Sequence, residues 1–283
     1  MGKSKRKTQQ QKKKKRASGP SLAAQADKYA LYQEAVQDPP GDVELVERIF
    51  KSTYDRAPRD LREDFCGTAA MACSWVEHHP ENRVWGVDLD PEPLAWGRQH
   101  NLAKLSAEQA KRIELIQGNV LDAEHGSVDV TVAFNFSYFI FKERAQLLNY
   151  FEKSRTRLRK EGMLLLDLYG GAESNRTLSE TREHDDFDYV WDQDVFDPIG
   201  QNALNYIHFE FSDGSRIEKA FTYDWRLWTI PELRDILHEA GYSHTDVYWE
   251  QTDHKTNEGN GVYYKAKTAE DDPAFVSYIA AHR

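Results

Sequence analysis

The chain has few cysteines and no long apolar run, and both absences exclude classes of protein. Its 283 residues include only Cys66 and Cys73. Two cysteines within one short segment form neither a disulfide framework nor a zinc-ligand pattern, so we expect a reducing, intracellular compartment and no metal site. No apolar run approaches the roughly 20 residues that cross a bilayer, and no signal-peptide core is found. We therefore expect no membrane contact.

Acidic residues are absent from positions 1–26, where basic residues are concentrated instead. Nine of the 37 lysines and arginines fall between Lys3 and Arg16, which leaves 28 bases against 47 acids elsewhere. So dense a run of one charge sign repels itself, so residues 1–20 are expected to be a disordered tail. Its composition is typical of a nuclear localisation signal, an RNA-contacting arm or a solvated tail.

The acidic remainder of the chain disfavours a broad nucleic-acid surface, because such surfaces need clustered bases to neutralise phosphates. Nucleic acid is therefore expected to bind only through the basic tail. The expected location is the cytoplasm, or the nucleus if the tail is a localisation signal.

Apolar periodicity predicts a helical cap over residues 21–57, followed by alternating strands and helices after Pro58. Such alternation indicates a mainly parallel sheet with right-handed crossovers. The predicted strands are 60–65, 83–89, 112–117, 128–134 and 163–169, and the helices between them are 68–79, 91–102 and 142–159.

The pattern changes after the fifth strand. Residues 172–228 predict short antiparallel strands dense in aromatic side chains, and Thr229 to Glu232 has the form of a capping box that starts a helix. Two closing strands follow at 244–250 and 261–267, and residues 268–283 are an extension. We predict an α/β fold, in which a Rossmann-like, seven-stranded, mostly parallel sheet is flanked by helices and carries this antiparallel β insertion. The main domain spans 58–267.

Two strand ends carry the most specific motifs. The first is Glu63-Asp-Phe-Cys-Gly-Thr-Ala69, in which small residues let a ligand approach the backbone, and the second is Gly86-Val-Asp88, whose acid can accept hydrogen bonds from a ribose. These phrases resemble motifs I and II of class I S-adenosylmethionine (SAM) methyltransferases. Phe65 and Ala69 stand where motif I has glycines, which disfavours the pyrophosphate of NAD more than it disfavours SAM.

This resemblance implies SAM as the cofactor and assigns it a set of residues. Glu63 is placed near the methionine ammonium and Asp88 at the ribose, while Gly118 to Asp122 resembles motif III, which meets adenine. Arg62 can pair with the methionine carboxylate or equally with a core acid. The complete set is Tyr29, Tyr32, Arg62, Glu63, Cys66, Gly67, Thr68, Asp88, Leu89, Asn119, Val120 and Asn135.

Candidate catalytic residues follow the fourth strand and lie in the insertion. The spacing of Asn135 and Tyr138 is similar to the Asn-Pro-Pro-Tyr motif of amine and amide methyltransferases, without its prolines, and a loop cap beside core aromatics is the alternative. His208 is a candidate proton acceptor or a structural histidine. The insertion's aromatic residues are predicted either to roof the substrate, by cation–π contact or stacking, or to form core.

The resemblance, which covers residues 25–267, implies an enzyme that transfers methyl groups by in-line displacement. The favoured acceptor is a small-molecule amine or similar metabolite. One alternative is an RNA or protein methyltransferase that docks through the basic tail. Another is a non-catalytic SAM-binding module, or an NAD-dependent oxidoreductase.

Overall fold

The computed structural model describes residues 19–253 and 258–283, so the basic run from Lys3 to Arg16 lies outside the described residues. The helices are α1 Leu22–Gln25, α2 Lys28–Val36, α3 Pro39–Tyr54, α4 Ala70–His78, α5 Pro91–His100, α6 Ala107–Ala110, α7 Arg144–Arg157 and α8 Ile230–Glu239. The strands are β1 Asp60–Asp64, β2 Arg83–Asp88, β3 Ile113–Gln117, β4 Val128–Ala133, β5 Leu158–Gly170, β6 Leu178–Glu183, β7 Asp188–Asp197, β8 Asn202–Glu210, β9 Arg216–Arg226, β10 His244–Asp253, β11 Glu258–Ala266 and β12 Phe275–His282.

Aspartate caps begin three of these helices. Asp27, Asp38 and Asp90 each accept hydrogen bonds from backbone N–H groups in the first turns of α2, α3 and α5. Such caps satisfy donors that have no partner within a helix. Helix α3 begins at Pro39, because proline is tolerated in a first turn that needs no N–H donor.

The larger sheet of the described residues has the strand order β11-β10-β12-β5-β4-β1-β2-β3. Strands β1 to β5 are mutually parallel, and β12 runs antiparallel to both β5 and β10. The predicted α/β fold is therefore confirmed, with eight strands in place of seven. The additional strand arises because Phe275–His282, expected to be an extension, pairs with β5 in the interior of the sheet.

A second, antiparallel sheet has the order β6-β7-β8-β9 and connects β5 to α8. It is the insertion predicted over residues 172–228. Trp225 and Trp228 on its exit side are buried in the same cluster as Phe139 and Leu166 of the main domain. The insertion therefore shares part of its core with the main domain, whereas Phe187, Tyr189, Ile207 and Phe209 form a separate buried cluster against α2.

Two buried clusters flank the larger sheet. One is formed largely by α3 and α4 with β1 and β4, and the other by α7 and α8 with β5 and the insertion. No helix among the described residues is long and apolar enough to cross a membrane.

Candidate active site

The candidate site lies along the edge where the parallel strands end. Residues of β1, β2, β4 and β5 meet there in the order given by the sheet, β5-β4-β1-β2. This edge, at the carboxyl ends of the strands, is where ligands bind in open α/β sheets.

The turn after β1 has left-handed backbone at three positions. The φ angles are 61° at Phe65, 51° at Gly67 and 57° at Ala69. Phe65 and Ala69 stand where motif I has glycine, and the chain keeps this conformation although both residues carry a Cβ. Such residues typically store about 1–3 kcal/mol of strain each, which persists only where the surroundings determine the conformation.

Asp88 at the end of β2 helps to hold the turn after β1 in this conformation. Its Oδ2 accepts the Gly67 N–H at 2.7 Å, and its Oδ1 accepts the Asp90 N–H at 2.9 Å. Burial is the largest cause of a raised pKa at Asp88, and these backbone donors partly offset it. Asp88 therefore joins the turn after β1 to the end of β2, and its neighbour Leu89 is 69% exposed.

Glu63 is a buried acid of the same turn, and one of its oxygens lacks a partner. Its other contact is the Ala72 N–H in the first turn of α4, whereas Oε2 has no hydrogen-bond partner among the described residues. Burial, reinforced by the charges of Asp42 and Asp88, raises the pKa of Glu63 to about 8. A positively charged ligand group would satisfy this carboxylate.

The turn also depends on close backbone packing at Gly97 in α5. A Cβ at Gly97 would lie 2.2 Å from the Thr68 carbonyl oxygen and 2.7 Å from its carbonyl carbon. Asn101 then donates its Nδ2–H to the same Thr68 oxygen at 2.9 Å. Helix α5 therefore fixes the turn by direct contact.

The variant Gly97→Ala is expected to reduce the free energy of unfolding by about 1–3 kcal/mol, since both clashing groups are backbone and must move. Urea unfolding at equilibrium measures this change. Gly126→Ala is the matched control, because a Cβ there meets nothing within 4 Å. Equal stability of the two variants would contradict the packing role of Gly97.

The turn after β3 carries Asn119 and Val120. The exposed Asn119 uses its own Oδ1 to accept the Leu121 N–H at 2.9 Å. The buried Val120 carbonyl accepts from the Arg62 Nη2–H at 2.8 Å and from the Arg157 Nη1–H at 2.7 Å. These guanidinium groups hold the turn in place and leave the Asn119 amide nitrogen free of protein partners among the described residues.

Arg62 lies in the core of the structure. It is fully buried, and its Nε–H donates to Asp64 Oδ1 at 2.6 Å. Its remaining contacts are the carbonyls of Val120 and Ala123. In the structure Arg62 therefore pairs with a core acid, Asp64, which is one of the two pairings that the sequence left open.

Helix α2 packs across the turn after β1. Tyr29 lies 5.7 Å from Trp96 of α5 and 5.9 Å from Phe221 of β9, measured between ring centroids. Gln33 donates its Nε2–H to Thr68 Oγ1 at 2.7 Å. Tyr32 also contacts the insertion, with its ring centroid 4.8 Å from that of Phe221. The sequence did not single out Gln33, although helical spacing places it one turn after Tyr29.

Asn135 and Asp167 form a clamp between the ends of β4 and β5. Asp167 Oδ2 accepts the Asn135 N–H at 2.6 Å, and Oδ1 accepts the Phe136 N–H at 2.9 Å. Both donor residues are left-handed, with φ angles of 55° and 57°. Burial raises the pKa of Asp167 to about 8 although both N–H groups oppose the shift. Sequence reasoning missed Asp167 because it read residues 163–169 as an apolar strand.

The side chains of Tyr138 and His208 are both buried. Tyr138 is fully buried, and its hydroxyl donates to the Asp167 backbone oxygen at 2.7 Å. His208 is buried in the insertion, where its Nδ1 accepts the Lys219 N–H at 3.0 Å and its Nε2 lies 3.3 Å from Asp192. Neither side chain lines the cavity described next.

A cavity of about 1440 Å³ opens between the strand ends and the insertion. Asn135 and Asp167 lie on its inner wall, while Tyr32 and Asp42 come from the N-terminal helices. The Cys66–Thr68 turn and Asp88 are neighbours of this cavity but not part of its wall. The turn and the cavity therefore lie along one edge of the sheet, and we name them the first and second compartments.

The cavity combines aromatic walls with a strong excess of negative charge. Trp191, Tyr223 and Trp225 of the insertion form one continuous wall, with ring centroids 4.4–6.2 Å apart. Among the described residues, nine aspartates and glutamates line the cavity against a single base, Arg182. Burial and the nearby Asp38 raise the pKa of Asp42 to about 7. Such surroundings attract a cation and repel phosphate groups.

Comparison with known proteins places residues 66–164 in a family model described as a methyltransferase domain. The chain has 15% identity to the CcbJ methyltransferase of Streptomyces caelestis, with a TM-score of 0.64 over 88% of this chain and 98% of that one. The sugar N-methyltransferase KedS8 of a Streptoalloteichus species gives 17% identity and a TM-score of 0.59, over 94% and 96% of the two chains.

A third structure is that of SAM-bound CalS10, an amino pentose methyltransferase of Micromonospora echinaspora. It has 13% identity and a TM-score of 0.62, over 94% of this chain and all 100% of that one. At these identities the similarity concerns the fold. No match was found among curated protein sequences.

Proposed function

We propose that this chain, which carries a methyltransferase domain and has the fold of the class I SAM-dependent enzymes, transfers a methyl group from SAM to a small-molecule amine. The observation that carries the proposal is the pairing of two compartments at one sheet edge. The motif I turn with Glu63 and Asp88 lies beside an acidic, aromatic cavity that Asn135 and Asp167 line.

The first compartment fits SAM. Glu63 would face the methionine ammonium, because its buried Oε2 lacks a partner and favours a cation. Asp88 would accept hydrogen bonds from the ribose hydroxyls, and the free amide of Asn119 would meet adenine. When bound, SAM supplies a methyl group that its sulfonium already activates. The residues of the turn therefore need only to hold and orient the cofactor.

The second compartment fits a protonated or neutral amine. Its carboxylates attract a cation, and its aromatic rings add cation–π contact. An ammonium must lose a proton before its nitrogen can attack, and the Asp167 carboxylate, with its raised pKa, is placed to accept that proton. KedS8 is described as a sugar N-methyltransferase and CalS10 as an amino pentose methyltransferase, which supports the same class of acceptor here.

The alternatives make different demands on the cavity. A nucleic acid would bring phosphates to a wall whose described residues include nine acids and one base, which is unfavourable. An NAD-dependent enzyme would place a pyrophosphate against Phe65 and Ala69. We therefore favour the small-molecule amine and use the alternatives as arms of the test.

The test measures binding of SAM, S-adenosylhomocysteine and NADH by calorimetry. We expect both adenosyl ligands to bind and NADH not to bind. Asp88→Ala should weaken binding at least tenfold, because a hydrogen bond to a charged group contributes about 1.5–3 kcal/mol. The matched control is Asp90→Ala, which removes the cap of α5 and spares the ribose contact.

A pool of amines is then tested for the release of S-adenosylhomocysteine. Binding of NADH with no binding of SAM would overturn the methyltransferase proposal. Binding of SAM with no product from any amine would leave a binding module as the function. Loss of activity after deletion of residues 1–18 would instead support the macromolecular acceptor.

Binding should also depend on pH in a defined direction. At pH 6 the empty site holds Glu63 largely protonated, since its pKa is about 8. A ligand ammonium favours the carboxylate, so binding releases a proton and affinity rises with pH. For S-adenosylhomocysteine we expect roughly tenfold tighter binding at pH 8 than at pH 6, and a flatter profile for Glu63→Gln. Equal slopes for both proteins would contradict the contact with Glu63.

A further inference from the structure

We propose that His244, Asp246 and His282 form a binding site for a divalent transition-metal ion such as Zn²⁺. The site lies outside the candidate active site.

Strand register brings the three side chains together. His244 of β10 lies directly opposite His282 of β12 in the antiparallel ladder, and Asp246 follows His244 by two residues. Because alternate residues of a strand face the same side, all three project from one face of the sheet. Their candidate ligand atoms lie within 4.8 Å of one another.

His282 has a buried ring nitrogen, Nε2, without a hydrogen-bond partner among the described residues. Its side chain is 2% exposed, and Nε2 lies 3.4 Å from Asp246 Oδ2 without a hydrogen bond between them. On the other side of the ring, Nδ1 lies 3.1 Å from the Tyr54 hydroxyl, which donates to the Gly162 carbonyl at 3.0 Å. A tyrosine has one proton to give, so Nδ1–H is the donor to the Tyr54 oxygen. The Nε2 lone pair is then left facing the cluster.

This arrangement is typical of a histidine that binds a metal. One ring nitrogen is held by a hydrogen bond, which fixes the tautomer and the ring orientation, and the other offers its lone pair. Two imidazoles and one carboxylate form a three-residue donor set of the kind that binds Zn²⁺ with a water as fourth ligand. Mg²⁺ and Ca²⁺ prefer oxygen ligands, so this set selects against them.

Two side chains must move when the ion binds, namely Lys265 beside the site and the ligand His244. Lys265 Nζ lies 2.7 Å from Asp246 Oδ2 and supplies a positive charge there, but its side chain is 59% exposed and can be displaced. The His244 ring stacks on His282 with 4.2 Å between centroids and 12° between planes. Because His244 is exposed, it can turn to present a nitrogen.

The cluster is separate from the proposed methyl-transfer site. His282 pairs with Met163 near the beginning of the apolar part of β5, whereas Phe275 pairs with Gly170 at the end that lines the cavity. The metal site and the methyl-transfer site therefore stand or fall independently.

The test is competition for Zn²⁺ between the full chain and a chromophoric chelator at pH 7.5. We expect one Zn²⁺ per chain, with affinity at least tenfold lower in His244→Ala, whose exposed position spares folding. His282→Ala should behave similarly if it folds. The matched control is His238→Ala, an exposed histidine of α8 outside the cluster.

Lys265→Met provides a readout that a structural histidine network would not give. Removing the competing ammonium frees Asp246, so Zn²⁺ affinity should rise severalfold. Equal affinities of the wild type and His244→Ala would overturn the site. So would unchanged affinity in Lys265→Met, or Mg²⁺ binding as tight as that of Zn²⁺.

Discussion

Replacing Asp167 by asparagine is expected to lower kcat by about 10²–10⁴-fold with the amine that the screen identifies. The carboxylate does two things at once, since it accepts the N–H groups of Asn135 and Phe136 and faces the cavity. An amide keeps only one acceptor oxygen and turns an N–H₂ group toward a backbone donor. The left-handed loop therefore loses a hydrogen bond that holds it in place. The substrate amine loses the carboxylate that accepts its proton.

The measurement is the pH profile of kcat and KM for the wild type and for two variants. Asp42→Asn is the matched control, because Asp42 is an acid on the cavity wall that accepts no backbone N–H from this loop. It should raise KM with a small effect on kcat. The wild-type kcat should rise toward pH 8, where Asp167 ionises, and Asp167→Asn should lose this rise. An Asp167→Asn enzyme within threefold of the wild type would contradict both roles.

Much of the fold could be predicted because its signals are local. Strand, turn and helix follow each other along the chain between residues 60 and 134, and each boundary depends on nearby prolines, glycines and caps. The Asp88 position followed from the same logic, since an acid that ends a second parallel strand lies at the ligand edge. The structure adds that Asp88 holds Gly67, and this contact depends on the pairing of two strands.

The remaining features depend on tertiary contacts that no local pattern encodes. Asp167 interrupts an apolar strand, and only the neighbouring end of β4 shows why an acid is there. Tyr138 has the spacing of a catalytic tyrosine, yet the backbone turns its ring into the core. The cluster of His244, Asp246 and His282 needs β12 between β5 and β10, so an expectation of no metal site based on cysteines could not detect it.

Arg62→Leu is expected to destabilise the protein by at least 3–5 kcal/mol, which is a large part of the 5–15 kcal/mol that keeps a typical domain folded. The substitution leaves Asp64 buried with only the Tyr150 hydroxyl as a partner, at 3.0 Å. It also removes the Arg62 donor of the Ala123 carbonyl, whereas the Val120 carbonyl keeps the Arg157 Nη1–H. Chemical denaturation measures the loss. Arg83→Leu is the matched control, since the Arg83 side chain is 60% exposed and its partner Asp60 keeps Arg159. It should cost less than about 1 kcal/mol.

The double variant Arg62→Leu, Asp64→Leu distinguishes the stability lost with the ion pair from the stability lost with the hydrogen bonds to the carbonyls. If the buried charge of Asp64 causes most of the loss, removing it as well should restore part of the stability. The same proteins decide between the two roles that the sequence left open for Arg62. If Arg62 bound the methionine carboxylate, Arg62→Leu would weaken SAM binding and leave the free energy of unfolding unchanged. If Arg62 is a core residue, Arg62→Leu lowers the free energy of unfolding. It then weakens SAM binding only because the guanidinium no longer holds the Val120 turn.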